Sequence, residues 1–523
     1  MAIKQLTPTL SVAPQIMPAD VEDLSAMGFR SILCNRPDGE GVDQPMAAQI
    51  EAAARAAGLG FAYVPAVAGA LTDADAAAMR RALDSLPGPV LAYCRSGARA
   101  EKLAEMADMV CVRNAGHYDV LIVGGGSAGI ATAASILKRR RGIHLAIVEP
   151  SNAHYYQPGW TMVGAGVFDS GFTRRDEAGL IPRGVEWIKA SASTFLPDEK
   201  QVVLNDGRRV SYSVLVVCPG IVLDWNAIPG LSDALGHDGV TSNYRYDLAP
   251  YTNRLVKQFK GGRALFTQPP MPIKCAGAPQ KAMYLSCHRW EKSGVLGSSD
   301  VQFHTAGAVL FGVPAYVPAL MDYVDRYDIN LNFGSKLVEI DSASKTAIFE
   351  QADGDGVKRV AERYDMIHVV PPQVAPDFVR TSPLAAASGF VEVDEATLRH
   401  PRYPDIFALG DACSASNAKT MAAARKQAPV VAVNVLAALD GKPPVATYDG
   451  YGSCPLTVEA GKIVLAEFGY GGTLMPSFPN WLIDGTRPSR LSWLLKDTIL
   501  PPVYWHGMLK GREWMVKPHM IGA

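Results

Sequence analysis

An α/β architecture built on parallel sheets follows from three features of the 523-residue sequence. Short apolar runs alternate with helix-period segments along most of the chain. One such run, Tyr118 to Val123, ends in the glycines Gly124, Gly126 and Gly129, which open a helix reaching about Arg140. Another, Arg263 to Thr267, ends in a proline- and cysteine-bearing turn before a helix that begins near Pro279. Strands that feed helices in this way lie in parallel sheets covered on both faces. The chain is too long for one core. Three segments are expected: a small α/β domain over 1–112, two interleaved dinucleotide-type domains over 113–480, and an amphipathic segment over 481–523.

Composition narrows the classes. With 48% hydrophobic and 19% charged residues the chain is globular, and a formal net charge of −1 gives nucleic acid no electrostatic purchase. Met1-Ala2-Ile3-Lys4-Gln5 opens without a leader pattern. Eight cysteines without regular spacing do not make a secreted disulfide framework. A reducing compartment is expected, so a disulfide here would be catalytic. The uncharged run Val120 to Leu137 is interrupted by Gly124-Gly125-Gly126-Ser127-Ala128-Gly129 and reads as strand, turn and helix rather than a membrane span. No metal-ligand spacing stands out.

In the first segment, strands are expected near Ser31–Cys34, Gly60–Val64 and Pro89–Tyr93. Helices are expected near Ala19–Met27, Pro45–Ala57, Asp73–Ser85 and Arg99–Met109. Cys94-Arg95-Ser96-Gly97-Ala98-Arg99 directly follows the third strand. Its N–H groups and the helix behind it can cradle an anion, and Arg99 with the helix N-terminus would favour a Cys94 thiolate. The arginine stands five residues after the cysteine, one short of the spacing that wraps a phosphate.

In the second segment, Gly124, Gly126 and Gly129 follow a strand and open a helix. A further strand, Leu145 to Val148, ends in Glu149. The glycines let a pyrophosphate approach the helix N-terminus beside Ser127, and Glu149 is placed for ribose hydroxyls. The strand after Arg263 lacks a second glycine turn. Gln268-Pro269-Pro270-Met271-Pro272-Ile273-Lys274-Cys275 occupies that place, and without glycines the backbone cannot close round a second pyrophosphate. Cys275 therefore sits in a strand-to-helix loop where a nicotinamide site would be. Cys413 follows Ala408-Leu409-Gly410-Asp411-Ala412 between another strand and helix. The two thiols are expected to form a redox pair on the dinucleotide.

Several stretches resemble known families. Ser211 to Gly220 resembles the strand-and-glycine return of two-dinucleotide flavoproteins, and Arg402 to Asp411 resembles their second flavin motif, which implies FAD. Gly220 and Gly410 then lie at the cofactor, with Asp411 on its ribityl chain. Glu149-Pro150-Ser151, His154-Tyr155-Tyr156-Gln157-Pro158, Lys274 to Lys281, Val370-Pro371-Pro372 and Tyr448 to Pro455 resemble sulfide:quinone oxidoreductases of the mitochondrial-like type. Gln157, Pro158 and Lys419 join the cofactor-binding set on that resemblance. In the animal relatives cysteine directly follows the Gly-Asp pair, whereas Ala412 intervenes here. The resemblance implies that hydrogen sulfide attacks a Cys275–Cys413 pair and that Cys413 keeps a persulfide. Cys275 then faces the flavin, and the electrons pass to a quinone. Lys274 adds positive potential there. Cys218, Cys287 and Cys34 are expected to be structural. The first segment resembles single-domain rhodaneses and a phosphatase-like family through Cys94 to Arg99 and Asn35 to Glu40. That makes it a sulfur acceptor, alongside a small thiol or sulfite.

The end of the chain is set apart by four tryptophans, Trp481, Trp493, Trp505 and Trp514, among aliphatic and basic residues. Such segments lie in the membrane interface. The expectation is peripheral attachment, at the cytoplasmic face of an inner membrane, with homo-oligomerisation left open. An NADH:quinone oxidoreductase-like flavoprotein and a non-catalytic sulfide sensor are the alternatives.

Overall fold

The computed structural model describes residues 2–7, 9–114, 116–353 and 356–522. The chain divides into two compact units, Met1–His117 and Tyr118–Ala523. The helix Ala98–Asn114 runs through the boundary expected after residue 112.

In the first unit a five-stranded sheet has the order Lys4–Thr7, Leu10–Ala13, Val90–Tyr93, Ser31–Cys34, Gly60–Tyr63. All neighbours are parallel except the first pair. The central strand, Val-Leu-Ala-Tyr, is buried along its whole length, as a strand covered on both faces should be. Cys94 thus leaves the carboxyl end of the middle strand, where parallel sheets place their ligand sites.

The second unit is built on two large sheets, with smaller ones beside them. The first runs Val185–Ile188, Leu145–Val148, His117–Val123, Arg209–Val217, Gln201–Leu204, Ala192–Leu196, with Ile406–Ala408 pairing parallel to Arg209–Val217. The helix Ser127–Arg139 follows its middle strand and is buried from Ala128 to Ile136, between that sheet and the helix Met421–Leu439. The second sheet is parallel throughout: Val240–Thr241, Met366–His368, Gly262–Gln268, Ser299–Thr305, Ile329–Phe333. From its middle strand the chain passes through the Cys275 loop into the helix Ala278–Ser293. An antiparallel hairpin, Gly452–Glu459 with Lys462–Phe468, packs on that helix.

The last segment is helical and packed on the dinucleotide unit. Helical turns run without a break from Arg490 to Lys510 and widen to π geometry at Leu495–Ile499 and Val503–Gly507. Pro501 and Pro502 sit between the two, and proline cannot supply the N–H bonds that keep an α-turn tight. One face of this segment carries Tyr504, Trp505, Met508 and Leu509, all buried in the core of the first dinucleotide sheet. Glu513 pins the end, bonding Arg139 at 2.5 Å and Ser135 at 2.7 Å. The opposite face leaves Leu491, Leu494 and Ile499 nearly half exposed. The segment is thus a structural part of the dinucleotide unit with an apolar outer face, not a detachable tail. Among the described residues no helix is long and apolar enough to cross a membrane.

Leu509→Ala should cost about 3 kcal/mol in denaturant unfolding, the usual penalty for emptying a buried leucine site. Truncation after Asp484 should give insoluble rather than more soluble protein. A soluble, folded truncate would show that this core contact is dispensable.

Candidate functional site

The Cys275 loop is built by close approach. Cys275 has a left-handed backbone, φ +51°. Its N–H donates to the Lys419 carbonyl at 2.8 Å, and the Tyr244 hydroxyl donates to the Lys274 and Cys275 carbonyls, each at 3.0 Å. Gly277 then starts the helix where no side chain fits: an added Cβ would lie 2.4 Å from Leu456 and 2.5 Å from Cys454 Sγ. That gap lets the strand Gly452–Glu459 bring Cys454 within 3.8 Å of Cys275, sulfur to sulfur.

The sulfur facing Cys275 is therefore that of Cys454, not the expected Cys413. Ala412 closes a short turn, Gly410–Ala412, and Cys413 leaves it extended, bridging to Val391. Its thiol donates to the Gly410 carbonyl at 3.3 Å and is buried in the core. Burial, opposed by Lys419, raises the Cys413 pKa.

Two lysines give the Cys275–Cys454 pair its electrostatics. Lys281, buried in the first turn of the helix, donates to Cys275 Sγ at 3.2 Å. The Cys454 thiol hydrogen-bonded to it, with Lys281 working against burial, holds Cys275 well below the usual thiol range, and Cys454 is pushed up in return. Burial opposes the Lys281 charge, but the neighbouring sulfurs more than restore it. From the C-terminal segment comes Lys496, also buried, which burial and then the Lys281 charge bring down to about 7. The arrangement stabilises one thiolate and attracts an anion to it. Sequence reasoning gave neither lysine a role and left Cys454 unassigned. Only the stretch Tyr448 to Pro455 could have pointed to Cys454.

A cavity of about 520 Å³ joins Cys275 to the dinucleotide motif. Its walls include Ser127, Pro158, Gly220, Cys275, Gly410 and Asp411. Gly124, at φ +112°, lies so close to Cys218 that an added Cβ would stand 2.4 Å from its carbonyl oxygen, whereas Gly126 faces open space. Gly129 packs directly on Gly124, where a Cβ would meet the carbonyl oxygen at 1.9 Å. Glu149 accepts from Gly125 N and Ser151 N at 2.8 Å each, and burial raises its pKa against those bonds. The Asp411 carboxylate makes no hydrogen bond to the protein among the described residues. Burial raises its pKa against Lys274 and Lys419. Space at Gly126, a seated Glu149 and an unclaimed Asp411 at the cavity fit the phosphates, ribose and ribityl chain of a flavin dinucleotide. Gln157 and Lys419 also line the cavity, but their polar ends are engaged. Gln157 accepts from Lys274 at 2.5 Å, and Lys419 donates to the Asp411 and Cys413 carbonyls at 2.9 and 2.8 Å.

The Cys94 loop differs from expectation in its arginine. Gly97, at φ +90°, turns its N–H onto Cys94 Sγ at 3.2 Å. Arg99, buried, is committed elsewhere: to Glu40 at 2.6 Å and to the Ala66 and Asn35 carbonyls at 2.8 and 3.3 Å. Arg36 holds the other oxygen of Glu40 at 2.9 Å. Glu40 therefore closes a network between Asn35–Glu40 and the loop, rather than leaving a free guanidinium. Cys34, Cys218 and Cys287 are buried, and burial raises all three thiols.

Comparisons with known proteins divide the chain at the same place. Residues 2–110 match the family described as beta-lactamase hydrolase-like protein, phosphatase-like domain, and 118–256 match pyridine nucleotide-disulphide oxidoreductase. The mitochondrial sulfide:quinone oxidoreductase of Dictyostelium discoideum is 40% identical over 458 residues, 87% of this chain and 96% of that protein. The enzyme of the same name from Mus musculus is 37% identical over 420 residues, 80% of this chain and 92% of its own. A beta-lactamase hydrolase-like protein of Agrobacterium fabrum is 40% identical over 100 residues, 19% of this chain and 23% of its own. Among solved structures, the sulfide:quinone oxidoreductase of Aquifex aeolicus shares the fold. It has a TM-score of 0.63 at 17% identity and covers 78% of this chain and 98% of its own.

Lys281→Met should remove the charge that steadies the Cys275 thiolate. In protein reduced beforehand, alkylation of Cys275 by iodoacetamide at pH 7 should slow by about tenfold or more. An unchanged rate would mean that Cys454 alone sets the ionisation.

Proposed function

Since the chain belongs to the sulfide:quinone oxidoreductases, FAD-dependent enzymes, we propose that Cys275 and Cys454 are the two thiols that cycle as sulfide is oxidised. The observation that carries this is their 3.8 Å approach beside Lys281. A disulfide needs the sulfurs at about 2.05 Å, within reach of small side-chain movements. In the oxidised state hydrosulfide attacks Cys454 Sγ. The Cys275–Cys454 bond breaks as a new S–S bond forms, leaving Cys454 as a persulfide and Cys275 as a thiolate. Cys275 is the leaving group because its thiolate is the better stabilised, and Lys281 holds the charge that appears on it. An acceptor thiolate then attacks the outer persulfide sulfur, carries it away and leaves both cysteines reduced. FAD held at Gly126, Ser127, Glu149 and Asp411 would supply the two-electron chemistry by which the two thiols return to the disulfide and a quinone is reduced. Lys281 and Lys496 draw the sulfide anion to the pair.

A lipid-soluble quinone requires a route from a bilayer. The cavity wall made by Leu495, Ile499 and Leu500 continues into the exposed Leu491 and Leu494, with Trp481 and Trp514 also exposed. We read this outer face as a membrane-surface contact at the cytoplasmic side of an inner membrane.

The first unit is read as a sulfur acceptor, directly or through a small thiol or sulfite. Cys94 at the carboxyl end of a central strand supports that role. Arg99, already bound to Glu40, does not favour a dianionic phosphate.

Cys275→Ser and Cys454→Ser should each abolish sulfide-dependent quinone reduction, by at least about a hundredfold, while keeping FAD. Cys413→Ser should keep most of it. Loss in Cys413→Ser with activity retained in Cys454→Ser would restore the Cys275–Cys413 pair instead.

Mass spectrometry after turnover with sulfide should find one added sulfur on Cys94, and Cys94→Ala should lose thiosulfate sulfurtransferase activity. No added sulfur, with transferase activity unchanged, would leave the unit as an anion-binding module.

A further inference from the structure

A buried polar chain runs from the C-terminal segment to the start of the dinucleotide helix. Ser127, the first residue of that helix, lines the cavity, and its Oγ lies 2.7 Å from the Tyr504 hydroxyl. The same hydroxyl lies 2.5 Å from His154 Nε2, and His154 Nδ1 lies 3.0 Å from Glu177 Oε2. His154, Glu177 and Tyr504 are at most 3% exposed. The second oxygen of Glu177, Oε1, is buried without a hydrogen-bond partner. It faces Gly125, where an added Cβ would come within 2.9 Å of it. Tyr504 also packs on Tyr156 and Trp505, with ring centroids 4.9 Å away in both cases.

Proton accounting gives the chain a direction. Glu177 can only accept, so His154 Nδ1 carries a proton. With neutral His154, Nε2 accepts from Tyr504, Tyr504 accepts from Ser127, and the Ser127 proton is spent inside the protein. With His154 doubly protonated, Nε2 donates to Tyr504, Tyr504 donates to Ser127, and the Ser127 proton is free for an anion in the cavity. A phosphate at the helix N-terminus selects the second arrangement, with Glu177 balancing the imidazolium.

We propose that Tyr504, backed by His154 and Glu177, is a cofactor-positioning residue that turns the Ser127 hydroxyl onto the pyrophosphate of FAD. The C-terminal segment is then part of the flavin site, acting through Ser127 rather than by touching the cofactor. The charged or titratable groups around the His154 imidazole are Glu177, Tyr504, its cross-strand partner Arg175, which lies 4.3 Å over the Trp505 ring, and, at longer range, Glu149. Only the FAD assignment is assumed. A chain that binds FAD as described yet leaves sulfide untouched would overturn the thiol mechanism and not this proposal.

The test is titration of the deflavinated full-length protein with FAD, read by flavin fluorescence at several pH values. Tyr504→Phe keeps the ring and removes the hydroxyl, and should weaken FAD binding about tenfold, equivalent to about 1.4 kcal/mol. Ser127→Ala should weaken it by a similar factor, and the double variant should be no worse than Ser127→Ala, because the two act as one chain. Wild-type affinity should fall as the pH rises, while both single variants should show a flat profile. Affinity within twofold of wild type in Tyr504→Phe, additive losses, or an unaltered pH profile would each overturn the proposal. If Tyr504→Phe does not fold, Ser127→Ala alone decides through the same two readouts.

Discussion

The functional site depends on one short, buried contact, the Lys281 ammonium 3.2 Å from Cys275 Sγ. A lysine in the protein interior is costly unless a negative partner compensates it, and a thiolate there is costly for the same reason. Each therefore requires the other. The junction of the loop with the helix Ala278–Ser293 holds both of them. It also makes room for Cys454, since Gly277 has no side chain to keep the strand Gly452–Glu459 away. The Cys275 sulfur, its counter-charge and the sulfur facing it thus come from a loop, a helix and a hairpin.

The second dinucleotide sheet shows how a parallel α/β scaffold can be turned to this use. Its middle strand, Gly262–Gln268, ends where a nucleotide would be expected, at the carboxyl edge before a helix. The turn there is filled by Met271-Pro272-Ile273-Lys274-Cys275, and its backbone groups are taken up by Gln373 and Lys419. The helix N-terminus faces a thiolate instead of a phosphate. The field that favours an anion is the same in both cases.

The C-terminal segment joins the two ends of this chemistry. Lys496 reaches the thiol pair and Tyr504 reaches Ser127 at the dinucleotide motif, while Leu491 and Leu494 stay exposed on the outer face. A helical stretch widened at Pro501 and Pro502 presents these residues in different directions. One element can therefore hold a cofactor motif, tune a thiol and offer an apolar surface.

Local pattern was enough for much of this. Gly124, Gly126 and Gly129 after an apolar run, with Glu149 closing the next strand, specify strand, turn, helix and dinucleotide site, because backbone sterics and the helix dipole act over a few residues. The strand Ser31–Cys34 and the helix Asp73–Ser85 were legible for the same reason, as were Cys275 in its loop and the lost glycine turn. Tertiary structure alone decided which sulfur faces Cys275. Cys413 and Cys454 both follow β-type or turn segments, and only the packing of a hairpin against Gly277 distinguishes them. It likewise decided that Arg99 belongs to Glu40, that Lys281 and Lys496 converge, and that Tyr504 reaches Ser127. These pairs are between 6 and 377 residues apart at Lys281–Cys275 and Tyr504–Ser127, and no periodicity in a sequence carries the distance across a folded core.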